Sequence, residues 1–284
     1  MVDSKSEIAP IKSKIKILPN APGVYKYFDK NGNWKIDIPV SDLGQHQHTI
    51  EIYSAKHNQA SNRFSYTSSF SKVAHAGKTI DKKGDDKGFN GQYIKPLDPS
   101  VGCQMDITKA TAKAAGSVLE LTLEMCDVSA VWSPANGFDH VSFTTFFDLK
   151  NKQGKTLLPM IGGQFPNNQN WDLAHVVFGW GNYMYLSKNA TATQEGDKPG
   201  IAPAIKVDLK NNQIHLRFLG ADLGKDFEVK DWKDTTIYIT TWDKSGEGNY
   251  REIEKKPALW SFGHSVVDSP KILDDVVVEL KETV

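Results

Sequence analysis

The sequence predicts an all-β protein made of two antiparallel β-sandwiches in series. Along the 284 residues, short apolar runs alternate with polar residues, as expected for strands that bury one face. Gly, Pro, Asn and Asp residues separate these runs, which predicts tight turns between strands. The helix candidates are limited to Thr108 to Ala115 and a short turn near Gly220 to Phe227. A helical or α/β fold is therefore not expected.

Residues 1–72 are predicted to form a small Ig-like or fibronectin-like sandwich. Six or seven short strands, separated by turns such as Asp29 to Asn33, fit within roughly 60 residues, which is typical of this fold. Trp34 follows the turn and is the expected core side chain, with sugar stacking as the less favoured alternative. We interpret this region as a spacer.

Residues 73–284 are predicted to form a larger antiparallel sandwich. A short polar connection that begins near Val73 separates it from the first region. Alternating strands follow, for example Leu119 to Met125 and Ile214 to Phe218, with turns such as Lys210 to Asn212 between them. Around ten strands with almost no helix predict two packed sheets.

Cys103 and Cys126 lie in one predicted hairpin, at similar distances from its turn at 113–116. This arrangement brings the two thiols close together across the strands. Side-chain alternation opposes a bond, because Cys103 shares a face with Met105 whereas Cys126 shares a face with Glu120. A bulge would reconcile the two. A disulfide and a pair of free thiols both stay open.

Charge and hydropathy exclude several classes of partner. Lys+Arg and Asp+Glu both number 34, so no long-range field favours nucleic acid or an anionic membrane surface. The sequence contains no run of about 18 apolar residues, so it predicts no transmembrane segment. Met1 to Lys14 is polar and lysine-rich and does not resemble a secretion signal. For a secreted, periplasmic or cell-surface protein, which we expect, the signal would lie outside this sequence.

Aromatic residues at strand ends and on Gly-rich loops predict a carbohydrate-binding surface. A pyranose ring offers one apolar face for stacking and a rim of hydroxyls for Asn, Gln and Asp side chains. One such element runs from Trp242 to Arg251, and a second follows at Trp260 to Gly263. For any single tryptophan, core packing is an equally open alternative. The predicted ligand-contacting residues are Trp132, Trp171, Trp180, Tyr183, Trp242, Tyr250 and Arg251.

The loop Asp81 to Gly88 places three carboxylates within six residues, around a glycine that permits a tight bend. Hard cations need oxygen ligands that converge from such a loop, completed by a distant acid. We therefore expect a structural calcium ion, with a solvated acidic turn as the alternative. The predicted metal ligands are Asp81, Asp85, Asp86 and the distant Asp148, with Asp274 or Asp275 as further candidates.

Catalytic motifs are weak. The sequence contains no Gly-x-Ser-x-Gly elbow, no His-Glu-x-x-His pair and no phosphate-binding glycine loop. His46 and His48 flank one residue in a predicted loop, where histidines without a metal are the commoner case. A glycosidase carboxylate pair is defined by its separation in space, which the sequence does not show. The chain by itself is not expected to be an enzyme, although an intact glycoside hydrolase stays an alternative.

A series of motifs runs in order from about Lys78 to Leu280. The first is an Asp-x-x-Gly-Asp-Asp-x-Gly loop, here Asp81 to Gly88, followed by Tyr93 and Pro96. The later motifs are, in chain order, Gly137 to His140 with Phe147-Asp148, then Trp171 to Ala174, Gly179 to Gly181, Arg251, Trp260 to Gly263 and Pro270 to Asp274. In these motifs the chain resembles the C-terminal domain of glucodextranases and some amylopullulanases.

This resemblance implies a DOMON-like sandwich, related to family 9 carbohydrate-binding modules, with calcium in the Asp81 loop and a sugar-facing aromatic surface. It implies a non-catalytic region that binds α-glucan, or an envelope polymer, within a polysaccharide-degrading system. In the same superfamily, some DOMON domains hold haem b in redox proteins. Met184 with His175 or His264 would be the axial pair for that alternative.

Overall fold

The computed structural model of the chain describes residues 14–18, 47–54, 59–60, 64–67, 73–88, 92–149, 152, 154–199, 202–220, 223 and 227–283. Near the N-terminus, the backbone forms one antiparallel sheet in which β2 pairs with three neighbours. These strands are β1 (Lys14–Leu18), β2 (Gln47–Ser54), β3 (Gln59–Ala60) and β4 (Phe64–Thr67). Trp34, His46 and most of the Gly220 to Phe227 turn lie outside the described residues, and the Ig-like sandwich of residues 1–72 stays a prediction.

The rest of the chain continues as strands. These are β5 (His75–Ile80), β6 (Ile107–Ala115), β7 (Val118–Met125), β8 (Ser142–Asp148), β9 (Leu157–Leu158), β10 (Gly163–Gln164), β11 (Leu173–Phe178), β12 (Gly181–Leu186), β13 (Ala204–Asp208), β14 (Gln213–Leu219), β15 (Thr236–Trp242), β16 (Ile253–Glu254), β17 (Phe262–Gly263), β18 (Asp274–Glu279) and β19 (Lys281–Glu282). One 3-10 turn, Pro166–Asn168, interrupts them. Within the described ranges, no helix is long and apolar enough to cross a membrane.

Two antiparallel sheets dominate this architecture. One has five strands in the order β12-β11-β8-β15-β18, and the other has six in the order β13-β14-β7-β6-β5-β19. Two short pairs, β9 with β10 and β16 with β17, lie in the connecting loops. The all-β sandwich predicted from the alternating pattern is therefore confirmed.

The main core lies between the two large sheets. Alternate residues of each strand point inward, so that Leu119, Leu121 and Leu123 of β7 are fully buried and the residues between them are only partly buried. A second apolar cluster covers the opposite face of the five-stranded sheet, where Phe146 and Tyr238 pack under loop residues. Both faces of that sheet are consequently buried, and its strands read as nearly continuous apolar runs.

The helix expected from Thr108 to Ala115 is wrong, because these residues form most of β6. Alanine and lysine favour helices, but Ala110, Ala112 and Ala114 recur every second residue, and all three are buried against the other sheet. Tertiary burial at period two outweighs local propensity here.

The structure contains the disulfide that the sequence left open, between Cys103 and Cys126. The alternation argument does not apply, because Cys103 lies in a turn before β6 rather than in the strand. In that turn, the Asp106 N–H donates to the Cys103 carbonyl, and the Cys126 N–H donates to the Asp106 carbonyl. A register shift at Ile107 supplies the expected bulge. Together these features bring the two sulfurs onto one side.

The C-terminal segment joins the two sheets at one edge. β18 belongs to the five-stranded sheet, and β19, which follows directly, pairs with β5 of the six-stranded sheet. β5 approaches β18 closely: the Thr79 hydroxyl donates to the Val277 carbonyl at 2.5 Å, and Gly77 packs against the β18 backbone. The sandwich is thereby closed along this side.

We expect Gly77→Ala to lower the free energy of unfolding by about 1–3 kcal/mol, because the new methyl group would meet the backbone of Glu279 and lie 2.7 Å from Val278 Cγ1. Gly102→Ala is the matched control, since its added methyl group would enter open space. Urea unfolding of both variants measures the difference. Equal stability of the two would show that the sheets separate easily at this edge.

Candidate functional site

The candidate functional residues gather at one end of the five-stranded sheet. β15 ends at Trp242, which pairs with Ser142 at the start of β8, and Ser142 also pairs with Phe178 at the end of β11. On the other side of β15, Thr241 pairs with Asp274, where β18 begins. The loops that leave these strand ends therefore share one end of the sandwich.

Three indoles, Trp132, Trp180 and Trp260, form a surface that we call the aromatic platform. The Trp132 ring centroid lies 5.4 Å from that of Trp260 and 6.5 Å from that of Trp180. Trp132 and Trp180 are 42 % and 38 % exposed, and Trp260 is half-buried. Beneath them, the buried His140 ring lies 4.5 Å from Trp132 and is parallel to Trp260 within 11°. Exposed indoles held in this way offer apolar faces to a ligand.

Asp139 holds the turn that carries Trp132. Its carboxylate accepts a hydrogen bond from the Trp132 backbone N–H at 2.9 Å and another from the Ser129 hydroxyl. The Asp139 N–H in turn donates to the Ser129 carbonyl at 2.8 Å. Asp139 is only 1 % exposed, so it positions the indole rather than meeting solvent.

Asn136 holds the turn that carries Trp180. Its side-chain amide donates to the carbonyls of Phe178 at 2.7 Å and Gly181 at 3.0 Å, which flank the β11–β12 turn. Gly179 in that turn lies against Phe138 and Pro134, where a larger residue would collide. The indole therefore projects from a rigid turn.

Arg251 connects the platform to a buried acid. Its guanidinium carbon lies 4.9 Å from the Trp260 ring centroid, and its Nε donates to Asp243 Oδ2 at 3.1 Å. Burial raises the pKa of Asp243 to about 6, whereas the charge of Arg251 opposes that shift. Burial also lowers the pKa of His140. At neutral pH the platform thus borders on an Arg251–Asp243 ion pair and a neutral imidazole.

Two predicted tyrosines lie beside the platform and not in it. Tyr183 is 41 % exposed on the edge strand β12, where Lys198 Nζ lies 5.1 Å from its ring centroid. Tyr250 is half-buried, and Lys244 Nζ lies 3.8 Å above its ring. Both rings are thus engaged by lysine ammonium groups.

Trp171 and Trp242 were predicted to contact ligand, and their burial corrects this prediction. Trp171 is 0 % exposed, donates from Nε1 to the Leu157 carbonyl at 2.6 Å and packs on Phe146. Trp242 is 2 % exposed and stacks on Phe262 at 4.0 Å. Both indoles belong to the core that supports the surface loops.

A carboxylate cluster lies at the same end of the sandwich, where the Asp81 loop meets β18. Oxygen atoms of Asp85, Asp106 and Asp274 lie within 4.8 Å of one another. Asp81 and Asp275 line the same small cleft. We call these five residues the carboxylate cluster.

The cluster has unfilled acceptor capacity. Buried oxygens of Asp81, Asp85 and Asp106 have no hydrogen-bond partner in the described structure. Burial raises the pKa of Asp274 to about 8, and the nearby charges of Asp81 and Asp85 add to this shift. Burial also raises the pKa values of Asp81, Asp106 and Asp275. Backbone N–H groups of Ile107 and Asp275 donate to Asp274, and that of Gly84 donates to Asp106, so the carboxylates are only partly satisfied. Hard oxygen atoms that converge with unfilled lone pairs fit a divalent cation.

Two of the predicted metal ligands lie outside this set. The Asp86 carboxylate forms an ion pair with Lys95, whose Nζ also donates to the Gly102 carbonyl at 3.0 Å. Asp148 pairs with Thr236 at the far end of β15, five residues from Thr241, which puts Asp148 about 17 Å from the cluster along the strand. The prediction of Asp148 as a ligand is therefore wrong, and Asp86 is already charge-compensated.

The residues named as axial haem ligands make other contacts in the structure. His175 and Met184 are direct cross-strand neighbours in β11 and β12, so they cannot approach a planar cofactor from opposite sides. His175 is fully buried and bonds Asn182 through Nε2. His264 uses both ring nitrogens, on Gln92 and Val266.

The sequence did not identify several residues of these two sites. Trp260 was noted in an aromatic element but not placed in the site, although its Pro- and Ser-containing turn was a signal. Asp139 lies within the Gly137 to His140 motif but was given no role, and Asp106, in a turn after Cys103, had no recognisable pattern. Their roles depend on contacts between distant segments.

A comparison with protein families identifies a family that covers most of the chain. A family described as the C-terminal binding module, SLH-like, of glucodextranase matches residues 76–282, which is well over half of the chain. The match covers the described sandwich from the second residue of β5 onward and includes both candidate sites. A comparison with curated proteins finds no match.

The buried Asp172, which lies close to Asp148 in space, is expected to make the free energy of unfolding depend on pH. Burial raises the pKa of Asp172 to about 6 from its ordinary value of 3.8, and Asp148 adds to the shift, although the Leu149 N–H donates to it at 2.8 Å. The folded protein holds this proton more tightly than the unfolded chain. The stabilisation that protonated Asp172 gives the folded protein is fully present below about pH 4 and is lost as the pH rises through about 6.

Between pH 4 and 7, ionisation of Asp172 should lower the free energy of unfolding by on the order of 2 kcal/mol. We expect Asp172→Asn to remove this decrease. Urea unfolding of wild type and variant at four pH values measures the difference between their slopes. Parallel pH profiles would contradict the raised pKa. Because all other acids are shared, the difference reports Asp172 together with its coupling to Asp148.

Proposed function

The chain belongs to the family of the SLH-like C-terminal binding module of glucodextranase, and we propose that it is a non-catalytic region that binds a polysaccharide, specifically an α-glucan. The observation that carries this proposal is the aromatic platform. Three indoles at one end of a rigid sandwich, two of them well exposed, are the groups that stack on pyranose rings. The proposed setting is a secreted or cell-surface glucan-degrading system, in which residues 1–72 are a spacer.

The rings of the platform are tilted relative to one another, by 36° between Trp132 and Trp180 and by 72° between Trp132 and Trp260. A flat, fully extended ribbon would stack on only one of these faces at a time. A chain that turns from one glucose to the next presents successive rings at different angles, which matches tilted indoles better. This complementarity supports an α-linked glucan as ligand.

Polar groups around the platform would bond sugar hydroxyls. Arg251 uses Nε on Asp243, and its terminal N–H groups lie at the platform's edge. Ser133, in the turn next to Trp132, is exposed. Few ordered polar groups and small stacking areas predict weak binding, with dissociation constants of roughly micromolar to millimolar per site.

The carboxylate cluster is proposed to hold a structural calcium ion. Asp85, Asp106 and Asp274 would be its ligands, with Asp81 and Asp275 close enough to adjust the charge. The ion would fix the Asp81 loop, whose Lys87 carbonyl accepts a hydrogen bond from the Tyr93 N–H at 3.0 Å. The Tyr93 ring packs on Trp242 at 5.5 Å. Calcium would therefore stabilise the platform end and take no part in chemistry.

No hydrolytic step is proposed. The two buried acids nearest the platform are both committed to positioning, Asp139 on the Trp132 turn and Asp243 on Arg251. A retaining or inverting glycosidase needs two carboxyl groups that face the scissile bond.

We expect Trp132→Ala and Trp260→Ala each to weaken binding to the preferred α-glucan by about tenfold or more, since each removes one stacking face of the platform. Native affinity electrophoresis through gels containing amylopectin, pullulan or dextran measures the change in mobility. Leu209→Ala, an exposed apolar residue in the β13–β14 turn, is the control and should bind as wild type.

Free mobility of the wild type in every α-glucan gel would overturn the proposed specificity. Retardation that survives both tryptophan variants would place the sugar elsewhere on the sandwich. Reducing-sugar release by the purified protein would revive the glycoside hydrolase alternative.

We expect calcium to raise the melting temperature by several degrees and a chelator to reverse this change, because the ion binds only the folded cluster. Asp274→Asn should abolish the calcium effect, since it keeps the side-chain size and removes one ligand charge. Asp148→Asn is the matched control and should respond to calcium as wild type does. A calcium response that persists in Asp274→Asn would show that the ion binds elsewhere.

A further inference from the structure

The outer face of the six-stranded sheet carries a polar groove that the proposed function does not use. Its centre is one cross-strand row in register over five strands: Lys206 of β13, His215 of β14, Thr122 of β7, Thr111 of β6 and Lys78 of β5. Adjacent strands lie about 4.8 Å apart, so the row spans about 19 Å.

Longer charged side chains border this row on both sides. Two residues along the strands in one direction, Lys109 pairs in register with Glu124, and their charged atoms lie 2.5 Å apart. In the other direction, Lys113 pairs in register with Glu120. Short threonines in the middle and long side chains at the borders form a cleft of about 340 Å³.

The groove differs chemically from the aromatic platform. Apart from the His215 imidazole, no aromatic ring is among the described residues that line it, and its centre offers hydroxyls and one imidazole. Thr122 Oγ1 and His215 Nδ1 already lie 3.0 Å apart, which orients the ring. A ligand here would be bound through hydrogen bonds along its edge rather than by ring stacking.

The charges in the groove favour an anion. Lys109, Lys113 and Lys206 line the cleft against Glu120 and Glu124, and Lys78 extends the row beyond it. Burial lowers the pKa of His215, and the charge of Lys206 adds to this shift while that of Asp208 opposes it, so the imidazole is a neutral hydrogen-bonding group in the groove. The chain as a whole has no net charge, so this excess is a local property.

We propose that this groove is a second glycan-binding site, which takes a linear acidic polysaccharide strand across the β-strands. Hydroxyls of the polysaccharide form hydrogen bonds with Thr111, Thr122 and His215. Its carboxylates form ion pairs with Lys113 and Lys206. The chain then binds two kinds of polymer on different surfaces: a neutral glucan on the platform and an acidic glycan on the groove.

Native affinity electrophoresis of the full chain through polygalacturonate gels at low and moderate salt tests the proposal. The wild type should be retarded, and the double variant Lys113→Glu/Lys206→Glu should lose about tenfold or more in affinity, because like charges then face the ligand. The control Lys188→Glu/Lys255→Glu makes the same charge change on exposed loop residues and should be retarded like the wild type.

Thr111→Val separates a shaped groove from a simple basic patch. It is isosteric and leaves the charge unchanged, and it should weaken retention about threefold through the loss of one hydrogen bond. Melting temperatures confirm that each variant is folded. Trp132→Ala should leave polygalacturonate binding unchanged, so that failure of the groove and failure of the platform are distinguishable.

Four results would overturn the proposal: free mobility of the wild type, equal loss in the loop double variant, wild-type retention by Thr111→Val, or competition by an oligothymidylate of equal charge as strong as that by polygalacturonate. The last two would indicate a surface that attracts any anion.

Discussion

Trp242 lies where β15 leaves the five-stranded sheet, and three separate chain segments depend on its position. Its ring stacks on Phe262 at 4.0 Å, receives the edge of Tyr93 at 5.5 Å, and its Nε1 donates to the Arg251 carbonyl at 3.1 Å. Phe262 belongs to the segment of Trp260, and Tyr93 to the segment that follows the Asp81 loop. A single buried indole therefore orders loops that have little regular hydrogen bonding of their own.

This arrangement explains why both candidate sites share one end of the sandwich. Antiparallel strands bring the end of β15 beside the starts of β8 and β18, so the acids of one loop and the indoles of another are supported by the same core residues. The carboxylate cluster gathers several acids at the β18 edge, whereas an Arg251–Asp243 ion pair borders the platform. The groove lies on a different surface, the outer face of the other sheet, and is ordered by strand register alone.

The alternating pattern was sufficient to predict the sandwich because burial of one strand face repeats every second residue. The same rule accounts for two wrong or undecided features. The composition of β6, rich in alanine and lysine, resembles that of a helix. Its alanines nevertheless recur every second residue and are buried against the other sheet. The disulfide was undecided because strand parity has no meaning for Cys103, which lies in a turn.

The sequence by itself determined the all-β class, the acidic loop at Asp81 to Gly88 and the abundance of loop aromatics, because these are properties of local composition and spacing. Only the tertiary structure decided which aromatics reach solvent, since Trp132 and Trp171 occupy similar loops yet differ completely in exposure. It also decided which acids converge: it leaves out Asp86 and Asp148, adds Asp106 and selects Asp274 from the further candidates. Exposure and convergence are set by packing between segments far apart in the chain, and a single sequence carries no direct record of that packing.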